Sequence, residues 1–172
     1  MMQKSVPRQI EIEFTVNSLL SFIHQAHNHT YAAPEEIRKN FIISSFPMLD
    51  HKAYSFTEGD WKYQDFYAGF KYPPGKEIIY FKNKPIWTMV YQGKIQGDFS
   101  DDFIEEIYGF LKLALRESRA DMPFRGPAYF KQGDFEYFFS ISGDHSYFIG
   151  KEIIRKNRDI VFFQDIMGSL IK

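Results

Sequence analysis

Three histidines within the segment HQAHNH are the first residues whose types and spacing could support chemistry. His24 and His27 lie three residues apart, which on a helix would put two imidazole rings on one face, and imidazole nitrogens bind zinc and copper. His29 falls beyond the predicted end of that helix, and no nearby carboxylate completes a known metal motif such as H-E-x-x-H. Histidines in a last helical turn also interact favourably with the helix dipole. We therefore predict no bound metal, with His24, His27 and His29 as the residues to check.

Three carboxylates fall within predicted strands: Asp65, Glu77 and Glu152. If they face one cavity, they could act as general acids and bases or bind a cationic ligand. A carboxylate inside a protein is costly unless it is paired, so inward-pointing carboxylates would have a role. The sequence alone favours the other interpretation, in which each faces solvent, because a one-residue change in strand register exchanges the two faces of a sheet.

An arginine and an aromatic strand face complete the set of candidates. Arg125 lies between a predicted turn and a strand. Its guanidinium could bind an anionic ligand, or it could reach a carboxylate across the sheet and hold the crossover from helix to strand, which is the favoured role. Trp87, Met89 and Tyr91 alternate along one strand and therefore share a face. That face could line a small-molecule pocket, although any single aromatic residue is more often part of a core.

Two main helices are predicted to position these residues. Apolar residues at helical spacing indicate a first helix over about 15–28, with Thr15 or Asn17 as its N-cap. A second helix over about 101–118 has acidic residues at its start and arginines near its end, as the helix dipole favours. Its broad apolar stripe predicts that it packs against a sheet. Pro34, followed by two glutamates, indicates a short additional helix.

Strands account for most of the remaining sequence. Alternating patterns and turn residues predict strands over 61–68, 77–81, 85–91, 134–141, 146–154 and 159–166, with turns at 72–75, 82–84, 142–144 and 156–158. These connections are too short for parallel crossovers. The predicted fold class is therefore α+β, with two main helices packed on a curved, mainly antiparallel sheet of about six to eight strands. We expect a single domain over residues 1–172, in which residues 1–13 form an N-terminal arm or edge strand.

Composition excludes several function classes. The net charge of −1, without a basic stripe, argues against a nucleic-acid partner, and the lack of cysteine excludes disulfides and thiolate catalysis. The sequence contains no signal peptide and no apolar stretch long enough to span a membrane, so we expect a cytoplasmic protein without a membrane partner. No P-loop or dinucleotide-binding motif is present, and we expect no cofactor. Exposed sheet edges would be compatible with a homodimer.

Several motifs occur in a recognisable order along the chain. They are Thr30-Tyr31-Ala32, Gly75-x-Glu77, Pro85-x-Trp87-x-Met89-x-Tyr91-x-Gly93, Pro123-Phe124-Arg125-Gly126-Pro127 and Gly150-x-Glu152. With these motifs the sequence resembles a bacterial family known as domain of unknown function 5680. The resemblance implies no established activity. Some members of that family follow a helix-turn-helix DNA-binding domain, which would suit a ligand-sensing role.

The resemblance draws attention to polar and aromatic residues spread over several strands. We expect them to line one ligand-binding site or to form one buried polar network that fixes the fold. The predicted site residues are Tyr31, Asp65, Glu77, Trp87, Tyr91, Arg125 and Glu152.

Three functions remain open from the sequence. The leading hypothesis is a small-molecule-binding or sensing domain without catalytic activity, in which Trp87 and Tyr91 are walls of the pocket. Its polar anchors would be Glu77, Arg125 and Glu152. The first alternative is a hydrolase or lyase that uses Asp65, Glu77 or Glu152 as acid or base. Two carboxylates meeting in a pocket, one with a raised pKa, would favour that alternative. The second alternative is a structural or protein-interaction domain.

Overall fold

The computed structural model describes residues 14–44 and 50–171, which form an α+β fold. The predicted N-terminal arm at residues 1–13 lies outside the described residues. The helices are α1 (Val16–His29), the short α2 (Glu35–Arg38), which continues into a 3-10 turn (Lys39–Phe41), and α3 (Asp101–Arg116). The strands are β1 (Lys52–Glu58), β2 (Trp61–Tyr67), β3 (Pro74–Phe81), β4 (Lys84–Ile95), β5 (Tyr129–Gln132), β6 (Phe135–Asp144), β7 (Tyr147–Lys156) and β8 (Asp159–Leu170).

All eight strands join one antiparallel sheet in the order β1-β2-β3-β4-β8-β7-β6-β5. The antiparallel arrangement and the two main helices confirm the predicted fold class. The last strand, β8, lies between β4 and β7 and so joins the four strands before α3 to those after it. Residues from both halves of the chain therefore share one sheet face, which both main helices help to bury.

Helix α1 begins where the sequence predicts, but it ends at His29, so the expectation that His29 lies beyond the helix is wrong. Thr15 is its N-cap, and the side chains and backbone groups of Thr15 and Ser18 form a reciprocal capping box. The buried residues of α1 include Leu19, Ile23 and His27, which follow one another at intervals of four. His27 is therefore part of the stripe that faces the sheet.

In chain order, helix α3 lies between β4 and β5. Ser100 caps its start by accepting a hydrogen bond from the backbone N–H of Phe103, and Asp101 and Asp102 occupy the first turn. The helix ends at Arg116, two residues before the predicted end. None of the helices in the described part of the chain is long and apolar enough to cross a membrane.

The hairpin turns show where the sequence was informative. Lys82 and Asn83 both have positive φ (49° and 63°) in the two-residue turn between β3 and β4, so the predicted turn there is confirmed. The predicted turn at residues 142–144 is wrong, because these residues continue the pairing of β6 with β7 up to Asp144 opposite Tyr147. Gly143 accommodates a φ of 101° within the strand. The turn follows at residues 145–146, where Asp144 Oδ1 accepts a hydrogen bond from the Ser146 backbone N–H at 2.8 Å.

Candidate functional site

A cavity of about 320 Å³ lies between α1, α3 and the buried face of the sheet. Its volume is at the lower end of the range for small-molecule pockets. Polar, charged and aromatic side chains from both halves of the chain line it, and they include His27, Tyr31, Arg38, Lys52, Tyr63, Asp65, Tyr67, Glu77, Tyr91, Tyr108, Lys112, Arg125 and Gln164.

Two of the lining carboxyl groups lie side by side. Asp65 on β2 is the direct cross-strand partner of Glu77 on β3, and each residue is only 2% exposed. Directly opposite residues on one face of an antiparallel pair have Cβ atoms about 5 Å apart. Burial and the negative charge of Glu77 raise the pKa of Asp65 well above its ordinary value. The raised pKa favours the protonated form of the Asp65 carboxyl, which can donate as well as accept a hydrogen bond.

Glu77 is held by two basic side chains. Nε2 of His27 lies 2.7 Å from Oε2 of Glu77, and Nη1 of Arg125 lies 3.7 Å from Oε1. All three side chains are at least nine-tenths buried. The pairing compensates the cost of placing a carboxylate at this depth.

Arg125 also pairs with a second buried glutamate, Glu152, on β7. Nη2 of Arg125 lies 2.9 Å from Oε2 of Glu152, which also accepts a hydrogen bond from the Gln164 amide at 2.8 Å. The Tyr137 hydroxyl donates to the other oxygen of Glu152 at 2.5 Å. Burial would lower the pKa of Arg125, but the charges of Glu152 and Glu77 outweigh it and hold the pKa above its ordinary value. Arg125 therefore joins β3 to β7 across the sheet. This is the structural role that the sequence favoured for it.

Gly126 gives the arginine its position. Its backbone N–H donates to the Tyr137 hydroxyl at 3.1 Å. A Cβ atom at Gly126 would lie 2.8 Å from a ring carbon of Tyr137 and 2.9 Å from the carbonyl oxygen of Ala114 in α3. The absence of a side chain thus allows the segment after α3 to lie against both the helix and β6.

Gly75 has the corresponding role beside Tyr91. The two residues are cross-strand partners on β3 and β4, and the Tyr91 ring lies over Gly75, where a Cβ atom would overlap its Cζ atom. In this position the Tyr91 hydroxyl donates a hydrogen bond to Oδ1 of Asp65 at 2.8 Å. The small residue on β3 is therefore what lets a tyrosine of β4 reach an aspartate of β2.

We expect Gly75→Ala to lower the free energy of unfolding by about 1–3 kcal/mol, because the ring must leave its site and its hydrogen bond to Asp65 is lost. Urea denaturation measures this change. The matched control is Gly109→Ala, since Gly109 lies on the exposed side of α3 with open space around it. That variant should gain about 0.5–1 kcal/mol from helix propensity. In a Tyr91→Ala background the cost of Gly75→Ala should disappear, and a cost that persisted there would contradict the explanation.

Five of the seven predicted site residues line the cavity: Tyr31, Asp65, Glu77, Tyr91 and Arg125. Glu152 lies behind Arg125, is fully buried and does not line the cavity. The expectation that Trp87 forms a wall of the pocket is corrected. Its side chain is fully buried in the core, where its ring stacks with Phe124 and Phe148 at centroid distances of 5.6 and 6.0 Å.

The three histidines point to three different partners. His24 contacts the Ser118 hydroxyl at 3.0 Å, His27 contacts Glu77, and His29 donates to the backbone carbonyl of Gln25 at 2.8 Å. Burial and the neighbouring His27 lower the pKa of His24. Within residues 14–44 and 50–171, no group of three or more His, Cys, Asp or Glu side chains is arranged to hold a metal ion.

Sequence reasoning missed His27 as a member of this polar site. The signal was available, because His27 follows Leu19 and Ile23 at intervals of four along the buried stripe. Gln164 and Tyr137 were also missed. Gln164 is the cross-strand partner of both Glu152 and Gly93, a relation that depends on the position of β8 in the sheet.

The fold and site together define an α+β protein in which a buried network of paired charges lies beside a polar cavity. A family model described as "Domain of unknown function (DUF5680)" matches residues 65–171. The chain belongs to this family, as its motifs suggested. The matched segment includes Asp65, Glu77, Tyr91, Arg125 and Glu152. No curated protein and no solved structure matches the chain.

Proposed function

We propose that the protein binds a small molecule in the cavity between α1, α3 and the sheet, and that it acts by binding rather than by catalysis. The observation that carries the proposal is the position of Asp65, a 2% exposed carboxyl group in the wall of a cavity of about 320 Å³, where its raised pKa favours the neutral form. A neutral carboxyl can donate to and accept from one polar ligand group, which is the kind of directional contact that fixes a ligand's orientation. On the sequence arguments above, we place this function in the bacterial cytoplasm.

The pairing of the charged residues supports binding over catalysis. A catalytic base needs an oxygen free to take a proton from the substrate. Both oxygens of Glu77 face basic partners, His27 and Arg125, and both oxygens of Glu152 accept hydrogen bonds. These glutamates therefore stabilise the wall, whereas Asp65 accepts one hydrogen bond at Oδ1, from the Tyr91 hydroxyl, and its Oδ2 is left for a ligand.

Native mass spectrometry tests the proposal. The protein is incubated with the small-molecule fraction of a bacterial extract, and we expect an adduct that Leu111→Trp removes, because Leu111 lines the cavity on α3. Met167→Trp is the matched control, since Met167 is 47% exposed outside the cavity and its variant should keep the adduct. Tyr108→Trp, at a half-buried lining position, repeats the test if Leu111→Trp does not fold. No adduct with the wild type, or one that both cavity variants retain, would contradict the proposal.

A second candidate function is acid–base catalysis by Asp65 and Glu77. The observation that favours it is their direct cross-strand pairing within the cavity, together with the raised pKa of Asp65, a combination that separates an acid from a base in several hydrolases. In this role Asp65 would donate a proton and Glu77 would accept one. Turnover of a bound compound that is lost in both Asp65→Asn and Glu77→Gln, while the compound still binds, would support catalysis instead of binding alone.

A further inference from the structure

Three cations from three different elements line the outer part of the cavity: Arg38 of α2, Lys52 of β1 and Lys112 of α3. Lys52 is exposed and Lys112 is half-buried, with its Nζ atom 5.3 Å from the centre of the Tyr31 ring. We call these three residues the cationic mouth. Two acidic groups oppose them: Glu105, which lines the cavity, and the exposed Glu35, whose Oε2 lies 3.9 Å from Nη2 of Arg38.

The cations of the mouth act on one another. Burial and the positive charges of Arg38, Lys52 and Arg116 lower the pKa of Lys112 to about 8, against the opposing effect of Glu105. Like charges that line one cavity repel, and the repulsion is relieved when an anion lies between them. The surroundings of Lys112 thus favour the binding of an anionic group.

We infer that the cavity takes a small organic anion, with a carboxylate or phosphate group at the cationic mouth and an uncharged, hydroxyl-bearing body inside. This inference rests on the proposed binding function and names the class of ligand. Lysine and arginine side chains provide charge-assisted hydrogen bonds to either kind of anionic group. The cationic mouth would select a ligand with an anionic group, and the inner residues would select a ligand whose remaining part is uncharged.

The inner cavity favours an uncharged body. Arg125 is paired with Glu77 and Glu152, and Glu77 is also paired with His27, so these charges already have partners. A charged body would lose its hydration there without gaining an unpaired counterion. A hydroxyl group, in contrast, can hydrogen-bond to the Asp65 carboxyl in the wall, whose raised pKa favours the neutral form.

Isothermal titration calorimetry with matched probes tests the inference. The pairs are glycerol 3-phosphate and glycerol, 4-hydroxybenzoate and 4-hydroxybenzyl alcohol, and gluconate and glucose, with inorganic phosphate as a further probe. We expect the charged member of at least one pair to bind about tenfold or more tightly than the uncharged member. The phosphate and carboxylate pairs show which anionic group the mouth prefers. Added sodium chloride should weaken the preference, because the mouth is partly open to solvent.

Variants of one lysine link the preference to the mouth. Lys112→Met should abolish it, and Lys112→Arg should retain most of it because the charge remains. Lys151→Met is the control with the same change of charge, since Lys151 pairs with Asp165 outside the cavity, and it should leave the preference unchanged.

The outcomes separate this inference from the proposed function. Equal binding of both members in every pair, a preference that survives in Lys112→Met, or binding of inorganic phosphate alone would overturn the inferred ligand class. If uncharged probes bind and Leu111→Trp blocks them, the proposed function stands without the anionic ligand. If no probe binds and no adduct is found by mass spectrometry, both fail.

Discussion

Replacing Arg125 by methionine is expected to lower the free energy of unfolding by about 3–5 kcal/mol, the usual cost of removing one partner from a buried ion pair. Arg125 is 6% exposed and its guanidinium lies between Glu77 and Glu152, which are 2% and 0% exposed. Without it, two negative charges remain in the interior, and His27 faces only one of them. Urea denaturation at neutral pH measures the loss.

The matched control is Lys151→Met. Lys151 and Asp165 form an ion pair of 2.8 Å, similar in length to that of Arg125 and Glu152, but both side chains are about half exposed. Exposed pairs contribute about 0–1 kcal/mol. If Arg125→Met were no more destabilising than Lys151→Met, the network would not be a main support of the fold.

A second substitution tests whether the unpaired charge is the cause. Glu152→Gln alone should destabilise the protein, because Arg125 then loses its closer carboxylate. In the Arg125→Met background the same change should stabilise it, because it removes a buried negative charge that has lost its cation. This reversal of sign distinguishes an electrostatic network from simple packing, in which both losses would add.

The local structure was largely accessible from the sequence. The N-cap at Thr15 follows from a side chain that hydrogen-bonds to the nearby backbone. The turn at residues 82–83 follows from the short connection between two strands, in which Asn83 tolerates a positive φ. The turn near Gly143 was misplaced, because a glycine marks a tight turn and a distorted strand equally well. Local signals therefore predicted the elements and most of their ends.

The site depends on relations that no local signal contains. Asp65 and Glu77 were candidates, but their pairing follows from the register of β2 with β3. Glu152 approaches them only because β8 lies between β4 and β7. Strand order and register are long-range properties, so the sequence could name the carboxylates without showing which faced the cavity. Trp87 was misassigned for the same reason, since it shares a strand face with Tyr91 but lies over the core.

The motifs that carried the family resemblance have a common structural explanation. Gly75 makes room for the Tyr91 ring, and Gly126 makes room for Tyr137. The Tyr91 hydroxyl donates a hydrogen bond to Asp65, and the Tyr137 hydroxyl donates one to Glu152. The short glycine-containing motifs therefore specify where tyrosines reach buried carboxyl groups. This buried polar network holds the cavity wall, and Asp65 is the member whose pKa is raised well above its ordinary value.

Asp65→Asn is expected to gain stability relative to the wild type as the pH rises from about 4. The folded-state pKa of Asp65 is raised, first by burial and then by the charge of Glu77, against the opposing effects of the Tyr91 hydroxyl and Arg125. Between the unfolded pKa near 3.9 and the raised folded pKa, the unfolded chain has lost the proton while the folded chain retains it. Stability of the wild type therefore falls with rising pH through this window, by at most about 1.4 kcal/mol per pH unit from this group.

Asparagine removes this penalty because it cannot ionise, and its amide oxygen can still accept the hydrogen bond from Tyr91. Urea denaturation of both proteins from pH 4.5 to pH 8 gives the difference. Asp144→Asn is the control at an exposed carboxylate, since hydrogen bonds from Ser146 lower the pKa of Asp144 instead of raising it. Its difference from the wild type should stay nearly constant over this range, because a lowered pKa changes stability with pH only below the unfolded pKa near 3.9. A pH-independent difference for Asp65→Asn would mean that Asp65 is ionised in the folded protein, and the neutral carboxyl that supports the proposed ligand contact would then be absent.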